Sequence, residues 1–373
     1  MTTKKLGELA TFINGRAFKP SEWSDAGIPI IRIQNLTNSE GDFNYFNGDY
    51  DDKHLVNTND LLISWSATLD VFRWKGGTAL LNQHIFKVVF DKCEIDKDYF
   101  YYAVKNELEY MRTQTHGSTM KHITKKPFEN IEIYFPPIDL QKKIALNLNK
   151  IDEVRATNSK AQDLNDAYPL ALFNKMFGSV EENRNKLPSK KLGDVCDIII
   201  GRTPPRDNLR YWEGTHPWLT VAELNGHEIH ETKEKITDLA VTEIKPRLIP
   251  AGTVLFSFKL SIGKMGINKV PLYTNEAIAA LIPKNNHEIM PEYLYYALLS
   301  QDFSGKARDA VKGKVLNKGH LSMFDILLPE VGEQNKFAQK ISTFKKAQEA
   351  QQKVADKLKI LFASLSNKYF NPN

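Results

Sequence analysis

The hydrophobic positions of this chain form two kinds of pattern, and each kind occurs twice. Phe337, Ile341, Phe344, Gln348, Gln351, Ala355, Leu358, Phe362, Leu365 and Tyr369 follow one another at alternating steps of four and three. A seam sustained over that length predicts a long helix that pairs as a coiled coil. An earlier stretch carries a matching seam: Ile144, Leu148, Ile151, Arg155, Asn158, Gln162, Asn165, Pro169 and Leu172. Both seams begin apolar and turn polar in the middle. Polar seam residues weaken a coiled coil but fix its register and orientation. Pairing is expected to rest on Ile144, Leu148, Ile151 and Leu172 of the first helix, and on Phe337, Ile341, Phe344, Leu358, Phe362 and Leu365 of the second. Pro169 predicts a break at about Tyr168, with the helix restarting over Pro169–Phe177. Gly178 is placed to cap its end. Some 35–40 residues at ~1.5 Å each make a rod of ~55–60 Å.

The segments before the two seams are also copies of each other. Lys4-Lys5-Leu6-Gly7 returns as Lys190-Lys191-Leu192-Gly193, and Gly15-Arg16 as Gly201-Arg202, both 186 residues on. Leu61–Ser64 returns as Val254–Ser257, and Asn82–Ile85 as Asn275–Ile278, both 193 residues on. Gln141 and Gln334 are also 193 apart, as are Asn174-Lys175 and Asn367-Lys368. The register drifts only between blocks, as expected when loops vary and elements do not. A period this long means a duplicated domain, not a solenoid. Short β-rich runs at 28–33, 61–64, 84–90, 254–258 and 277–283 predict strands. Steps of three and four at 98–110 and 291–300 predict helices. Closing strands at 131–135 and 324–328 run into prolines that start the rods.

The expected fold class is α+β. Two tandem heads, each with a mostly antiparallel sheet, are each followed by a long helix. The helices pair as an antiparallel coiled coil with pseudo-two-fold symmetry. The expected boundaries are a first head at 1–136, a spacer helix at 137–178, a polar linker at 179–189, a second head at 190–329 and a second spacer helix at 330–373.

Composition narrows this little. The 373 residues suit two or three domains and are globular in composition. No apolar run is long enough to span a membrane, and the N-terminal stretch lacks a signal-peptide core. The chain therefore reads as cytoplasmic. Cys93 and Cys196 stand alone in separate halves and read as reduced. The net charge is +5, compatible with nucleic acid without requiring it.

Catalytic constellations are missing. There is no phosphate-binding glycine loop followed by Lys-Ser/Thr, no dinucleotide fingerprint and no nucleophile elbow. His227 and His230 would lie on opposite faces of a strand, without a third ligand. Glu231-Thr232-Lys233 lacks the aspartate that a nuclease metal site needs. The chain itself is expected to hold no metal or cofactor.

Basic and polar character appears instead at matching places. The stretch 110–128 has no acidic residue and carries His116, Ser118, Thr119, Lys121, His122 and Lys125. Its counterpart carries Arg308, Lys312, Lys314, Asn317 and Lys318. Such residues position a DNA backbone and read base edges, and the glycines at 117 and 313 allow close approach to a phosphate. One such loop could be no more than a solvated surface; recurrence in both heads favours binding. Arg16 and Arg202 follow turn glycines. Arg73 and Lys75 interleave with Trp65, Phe72 and Trp74, aromatic residues of a kind more often found in a core. Lys259 and Lys264 complete the candidates.

Several of these residues also carry a family resemblance. They are Lys191-Leu192-Gly193-Asp194, Gly201-Arg202-Thr203-Pro204, Tyr211-Trp212-Glu213-Gly214 and Pro217-Trp218, with Gly117-Ser118-Thr119-Met120-Lys121 and the Pro136-Pro137 and Leu140–Ala145 opening of the rod. In this order, repeated over essentially the whole chain, they resemble the specificity subunit of type I restriction–modification systems. The first head departs at Ala17-Phe18, where the second has Thr203-Pro204-Pro205; this leaves the target sequence open. The resemblance implies two target-recognition domains that read a bipartite, asymmetric site on double-stranded DNA. It implies a non-catalytic subunit of a bacterial or archaeal complex with two methyltransferase (modification) subunits and ATP-dependent restriction subunits. S-adenosylmethionine, ATP and magnesium would be bound by those partners. The alternatives are a protein-interaction scaffold or adapter outside restriction–modification, in which the basic loops are dispensable, and a stand-alone nuclease or methyltransferase. Against the last stands the missing cofactor loop.

Overall fold

In a computed structural model the described residues are 2–370, except 38–41, 67, 115–122, 181, 184, 227, 260, 286–287, 302 and 304–315. The chain forms two compact units, Met1–Ser159 with Gln352–Asn373, and Lys160–Gln351. Each unit holds one head and a part of both long helices.

The head of the first unit contains two four-stranded sheets. In one, Thr11–Asn14, Ile85–Val89, Leu61–Ser64 and Asp70–Arg73 lie side by side, antiparallel throughout. In the other, Asn44–Phe46, Ile28–Ile31, Ala79–Leu81 and Leu55–Val56 are neighbours, and Ile28–Ile31 runs parallel to Ala79–Leu81. Expectation had one sheet per head. The second forms because Ile30, Ile31, Leu80 and Leu81 are all fully buried and need a layer of their own. A ribbon of Thr3–Lys5 with Glu132–Tyr134 joins the start of the head to its end. The helix Lys97–Gln114 buries Tyr99, Phe100, Val104 and Leu108 against the first sheet's core.

The second unit repeats the plan. Cys196–Ile200, Ile278–Pro283, Val254–Ser257, Met265–Asn268 and Glu228–Ile229 make five strands; Glu234–Ile236, Trp212–Leu219 and Tyr273–Thr274 make three. The ribbon is Ser189–Lys191 with Asp325–Leu327, and the helix Pro291–Leu299 buries Tyr293, Leu294 and Leu298. The match reaches single side chains. Ser64 and Ser257, both fully buried, end equivalent strands, and each hydroxyl donates into the loop that follows, to Thr68 O and to Ser261 O.

The long helices span Ile138–Phe177 and Val331–Phe370. Every residue of the second seam is buried or half-buried. In the first unit, Phe362, Leu365 and Tyr369 pack on a cluster holding Ile144 and Leu148, and Asn147 Nδ2 donates to the Tyr369 hydroxyl at 3.1 Å. In the second, Phe173 and Phe177 surround Phe337 at ring distances of 5.5 and 5.7 Å. Tyr168 lies 4.7 Å from Phe344, and Asn165 Nδ2 donates to Gln351 Oε1 at 2.7 Å. Early residues of one helix meet late residues of the other, so within each unit the two run antiparallel. Two details correct the expectation. The first helix is unbroken at Pro169: contacts to Gln351 and Phe344 before it, and the burial of Phe173 and Phe177 after it, offset the one lost backbone bond. Arg155, on the seam by spacing, is exposed; its guanidinium lies 5.0 Å from the Phe362 ring and pairs with Asp152 at 3.2 Å.

Candidate nucleic-acid interface

Each head holds a glycine–arginine turn against the backbone of a neighbouring strand. In the first, Gly15 N donates to Ile85 O at 3.1 Å and Arg16 N to Leu81 O at 2.9 Å. In the second, Gly201 N donates to Ile278 O at 3.3 Å and Arg202 N to Thr274 O at 2.9 Å. The approach leaves no room for a side chain: a Cβ on Gly15 would sit 2.0 Å from Asn82 O, and one on Gly201 2.1 Å from Thr274 O. Glycine is required there by contact, and the arginine after it is carried at a fixed place.

From this shared turn the heads diverge. The Arg16 guanidinium lies 4.8 and 4.6 Å from the rings of Phe18 and Phe46 and pairs with Glu22. Arg202 donates to Ile244 O at 2.9 Å. The caged arginine of the second head is Arg206, 4.0 Å from the Trp212 ring and 4.9 Å from Trp218, with both terminal nitrogens on Glu234. The hydrogen bond from Arg206 lowers the Glu234 carboxyl from its ordinary value. Arg206 escapes a sequence reading because it does not follow a turn glycine as Arg16 and Arg202 do, and its aromatic partners lie six and twelve residues further on.

Other candidates take varied roles. Arg73 faces inward. Its guanidinium lies 3.9 Å from the Tyr101 ring, 3.1 Å from Asp98 and 2.9 Å from Asn149 Oδ1 on the first long helix. It thus ties the sheet edge to the rod. Arg73 and Lys75 both line a cleft of about 820 Å³. Lys125 is 3.7 Å from Glu129, and Lys264 donates to Asn225 at 3.4 Å. Lys259 is 5.5 Å from the Phe258 ring. Asn317 caps the helix Lys318–Ser322 by accepting from His320 N at 3.0 Å. His116, Ser118, Thr119, Lys121, His122, Arg308, Lys312 and Lys314 lie outside the described residues.

Among the described residues no group of His, Cys, Asp and Glu could hold a metal ion. His230 is 3.4 Å from Glu228, and His227 is not described. Cys196 is buried, which pushes its thiol up to about 12; Cys93 is half-buried. No helix among the described residues is long and apolar enough to cross a membrane.

The sequence profile of the type I restriction modification DNA specificity domain matches residues 1–165 and again 186–363. The chain belongs to this family. A specificity subunit is a non-catalytic member of its system. The MjaIX specificity subunit of Methanocaldococcus jannaschii is 33% identical over 174 residues, 44% of this chain and 40% of that protein. The EcoBI specificity subunit of Escherichia coli is 22% identical over 371 residues, 90% of this chain and 77% of that protein. The solved type I specificity subunit from M. genitalium shares the fold: TM-score 0.59 at 17% identity, covering 100% of this chain and 96% of that one. The double match to one profile agrees with the two glycine–arginine turns, which share one backbone arrangement and differ in the side chains around the arginine.

Proposed function

We propose that this specificity subunit reads a split, asymmetric site on double-stranded DNA, one half with each head. The observation that carries this is the pair of turns: one backbone arrangement, pinned by Gly15 and Gly201, presents different arginine–aromatic clusters. Two readers built alike but furnished differently suit two unlike half-sites. Arg16, Lys125, Arg202, Arg206, Lys259, Lys264, Asn317 and Lys318, with the basic stretches at 116–122 and 308–314, supply base and phosphate contacts. Arg73 and Lys75, at the edge of the first head's sheet, are further candidates.

The heads are the segments 1–136 and 190–329, the linker is 179–189, and the spacers 137–178 and 330–373 pair along their length as an antiparallel coiled coil with pseudo-two-fold symmetry. The spacers act as a ruler, setting half-sites on one DNA face about one turn, ~10 base pairs, apart. Leu146, Val154, Leu164 and Ile360 lie off the seams, and each is exposed by about half or more. They support docking of two methyltransferase subunits, which bring S-adenosylmethionine, and of restriction subunits, which bring ATP and magnesium. The complex works in the cytoplasm.

The test is a methylation map. The chain is co-expressed with the methyltransferase encoded beside it, and the DNA is read by modification-sensitive long-read sequencing. A motif with two defined halves and a fixed gap is expected. A stable complex that leaves no new methylation would favour the scaffold reading.

A further inference from the structure

Gln141 and Gln334, equivalent residues in the first turns of the two long helices, are 1% and 0% exposed. A buried amide is costly unless each of its groups finds a partner. Here they all do, and in the same way twice. Gln141 Oε1 accepts from Asp96 N at 3.0 Å, where the head's helix begins, and Nε2 donates to Pro136 O at 2.8 Å, where the closing strand ends. Gln334 Oε1 accepts from Met290 N at 2.9 Å. Its Nε2 donates to Pro329 O and to Glu288 O, both at 2.9 Å. One side chain therefore fastens the long helix to two separate elements of its own head. The same joint holds a second mirrored bond, from the buried Tyr99 and Tyr293 hydroxyls to Tyr134 O and Leu327 O.

Apolar packing at this joint comes from Ile144, Leu148 and Phe337. Such contacts are non-directional and tolerate small rotations. Amide hydrogen bonds do not, because they weaken steeply away from linear geometry. The difference matters because the helix is a lever. Forty residues make an arm of ~60 Å, and a tilt of about 5° at one end moves the other by about 5 Å, more than the ~3.4 Å between stacked base pairs. A leucine would fill the space and cost less to bury, yet it would leave the angle free.

We propose that Gln141 and Gln334 are positioning residues for specificity: they lock the direction in which each spacer leaves its head and so hold the recognised gap to a single length. This rests on the split-site reading given above. The two glutamines touch no DNA in this scheme and act through the head–helix angle.

The experiment uses the full chain in complex with its methyltransferase partner. The substrate is a plasmid library in which the gap between the half-sites varies one base pair at a time. The native complex methylates one gap length. Gln141→Leu and Gln334→Leu are expected to methylate neighbouring gaps as well. Discrimination should fall on the order of tenfold or more, since Gln141→Leu loses two buried hydrogen bonds and Gln334→Leu three. Gln141→Glu and Gln334→Glu keep the side-chain shape and the acceptor but set a carboxylate oxygen against Pro136 O and Pro329 O with no donor between. They too should methylate neighbouring gaps, and they serve if the leucine variants do not assemble. Ile249→Ala, a core change in the second head within a cluster separate from that of Phe337, should lower the melting temperature and leave the gap profile unchanged. Leucine or glutamate variants that assemble and keep the native gap profile would overturn the proposal while the split-site reading stands. A native complex without a fixed gap would remove that reading, and this proposal with it.

Discussion

Phe370, near the end of the second long helix, packs its ring 5.7 Å from that of Tyr99 in the helix of the first head. It is 6% exposed and belongs to the same core cluster as Phe12, Phe100 and Phe128. In the second unit the equivalent place is filled from the first long helix by Phe177, 5.1 Å from Tyr293. Each head is thus closed by an aromatic residue from the helix that does not follow it in sequence. The pairing of heads and helices is part of the folding core of each unit, not an ornament on it.

Phe370→Ala should therefore cost about 3–4 kcal/mol, the usual range for emptying a buried aromatic site. The loss should fall on the first unit, far along the chain from the substitution. Hydrogen exchange of the helix Lys97–Gln114 should accelerate, while that of Pro291–Leu299 keeps its protection. Equal acceleration in both helices would mean that the units do not unfold separately.

Lys345, on the second long helix, reaches Glu228 at 3.0 Å and Glu292 at 3.2 Å, and Lys269 reaches Glu228 at 3.1 Å. Burial alone would raise the Glu228 carboxyl, but hydrogen bonds and charge from Lys345 and Lys269 outweigh it and hold the group at about 2. A carboxylate depressed in the folded state stabilises the fold above its free value of ~4.3, and that gain fades as pH falls from there toward about 2. Lys345→Met should cost about 1 kcal/mol at about pH 7, a modest figure because the groups are about a third exposed. Denaturant unfolding at about pH 7 and about pH 3 should show the difference between native and variant shrinking in acid. A difference that grows in acid would sink this account.

Gly15→Ala and Gly201→Ala should each destabilise by about 1–3 kcal/mol, because the neighbouring atom is backbone carbonyl oxygen, which cannot swing aside as a side chain would. Gly77→Ala offers a control, since a Cβ there meets nothing within 4 Å. Thermal unfolding of the three variants separates close approach from the general loss of glycine.

Much of this architecture was legible because it is periodic. The seam from Phe337 to Tyr369 names the buried face of its helix position by position, since a 4-3 spacing records which side meets apolar neighbours. The strand runs at 61–64 and 254–258 were equally clear. What periodicity omits is the identity of distant partners. Gln141 and Gln334 aligned in sequence, but nothing local says that their amides meet Asp96 and Met290. Arg73 read as a residue free to reach DNA, because Asp98 and Asn149 become its neighbours only in the folded head. Pro169 predicts a break because the sequence shows one lost backbone bond and not the packing of Phe173 and Phe177 beyond it. Arg206 is not legible because its cage joins Trp212 and Trp218 of one strand to Glu234 of its neighbour, which meet only when the two strands pair.

The basic stretches of the two heads give the last prediction. Each lysine that neutralises a DNA phosphate releases counterions, so the logarithm of affinity falls with the logarithm of salt concentration by ~0.9 per contact. Lys121 and Lys125 belong to the first head, Lys312 and Lys314 to the second. Lys121→Gln with Lys125→Gln should reduce the magnitude of the salt slope by about 1–2 and weaken binding to all sequences alike. Lys312→Gln with Lys314→Gln should do the same from the other side, and the four together should reduce it by about twice as much, because the heads contribute independently. Arg16→Ala and Arg206→Ala are expected to behave differently. If these arginines read bases, each should cost about 1–3 kcal/mol on the cognate site and relax the motif in one half only. Fluorescence anisotropy across a salt series, with cognate and scrambled duplexes and the assembled complex, separates the two kinds of residue. Unchanged slopes in the lysine variants would place the DNA path elsewhere on the heads.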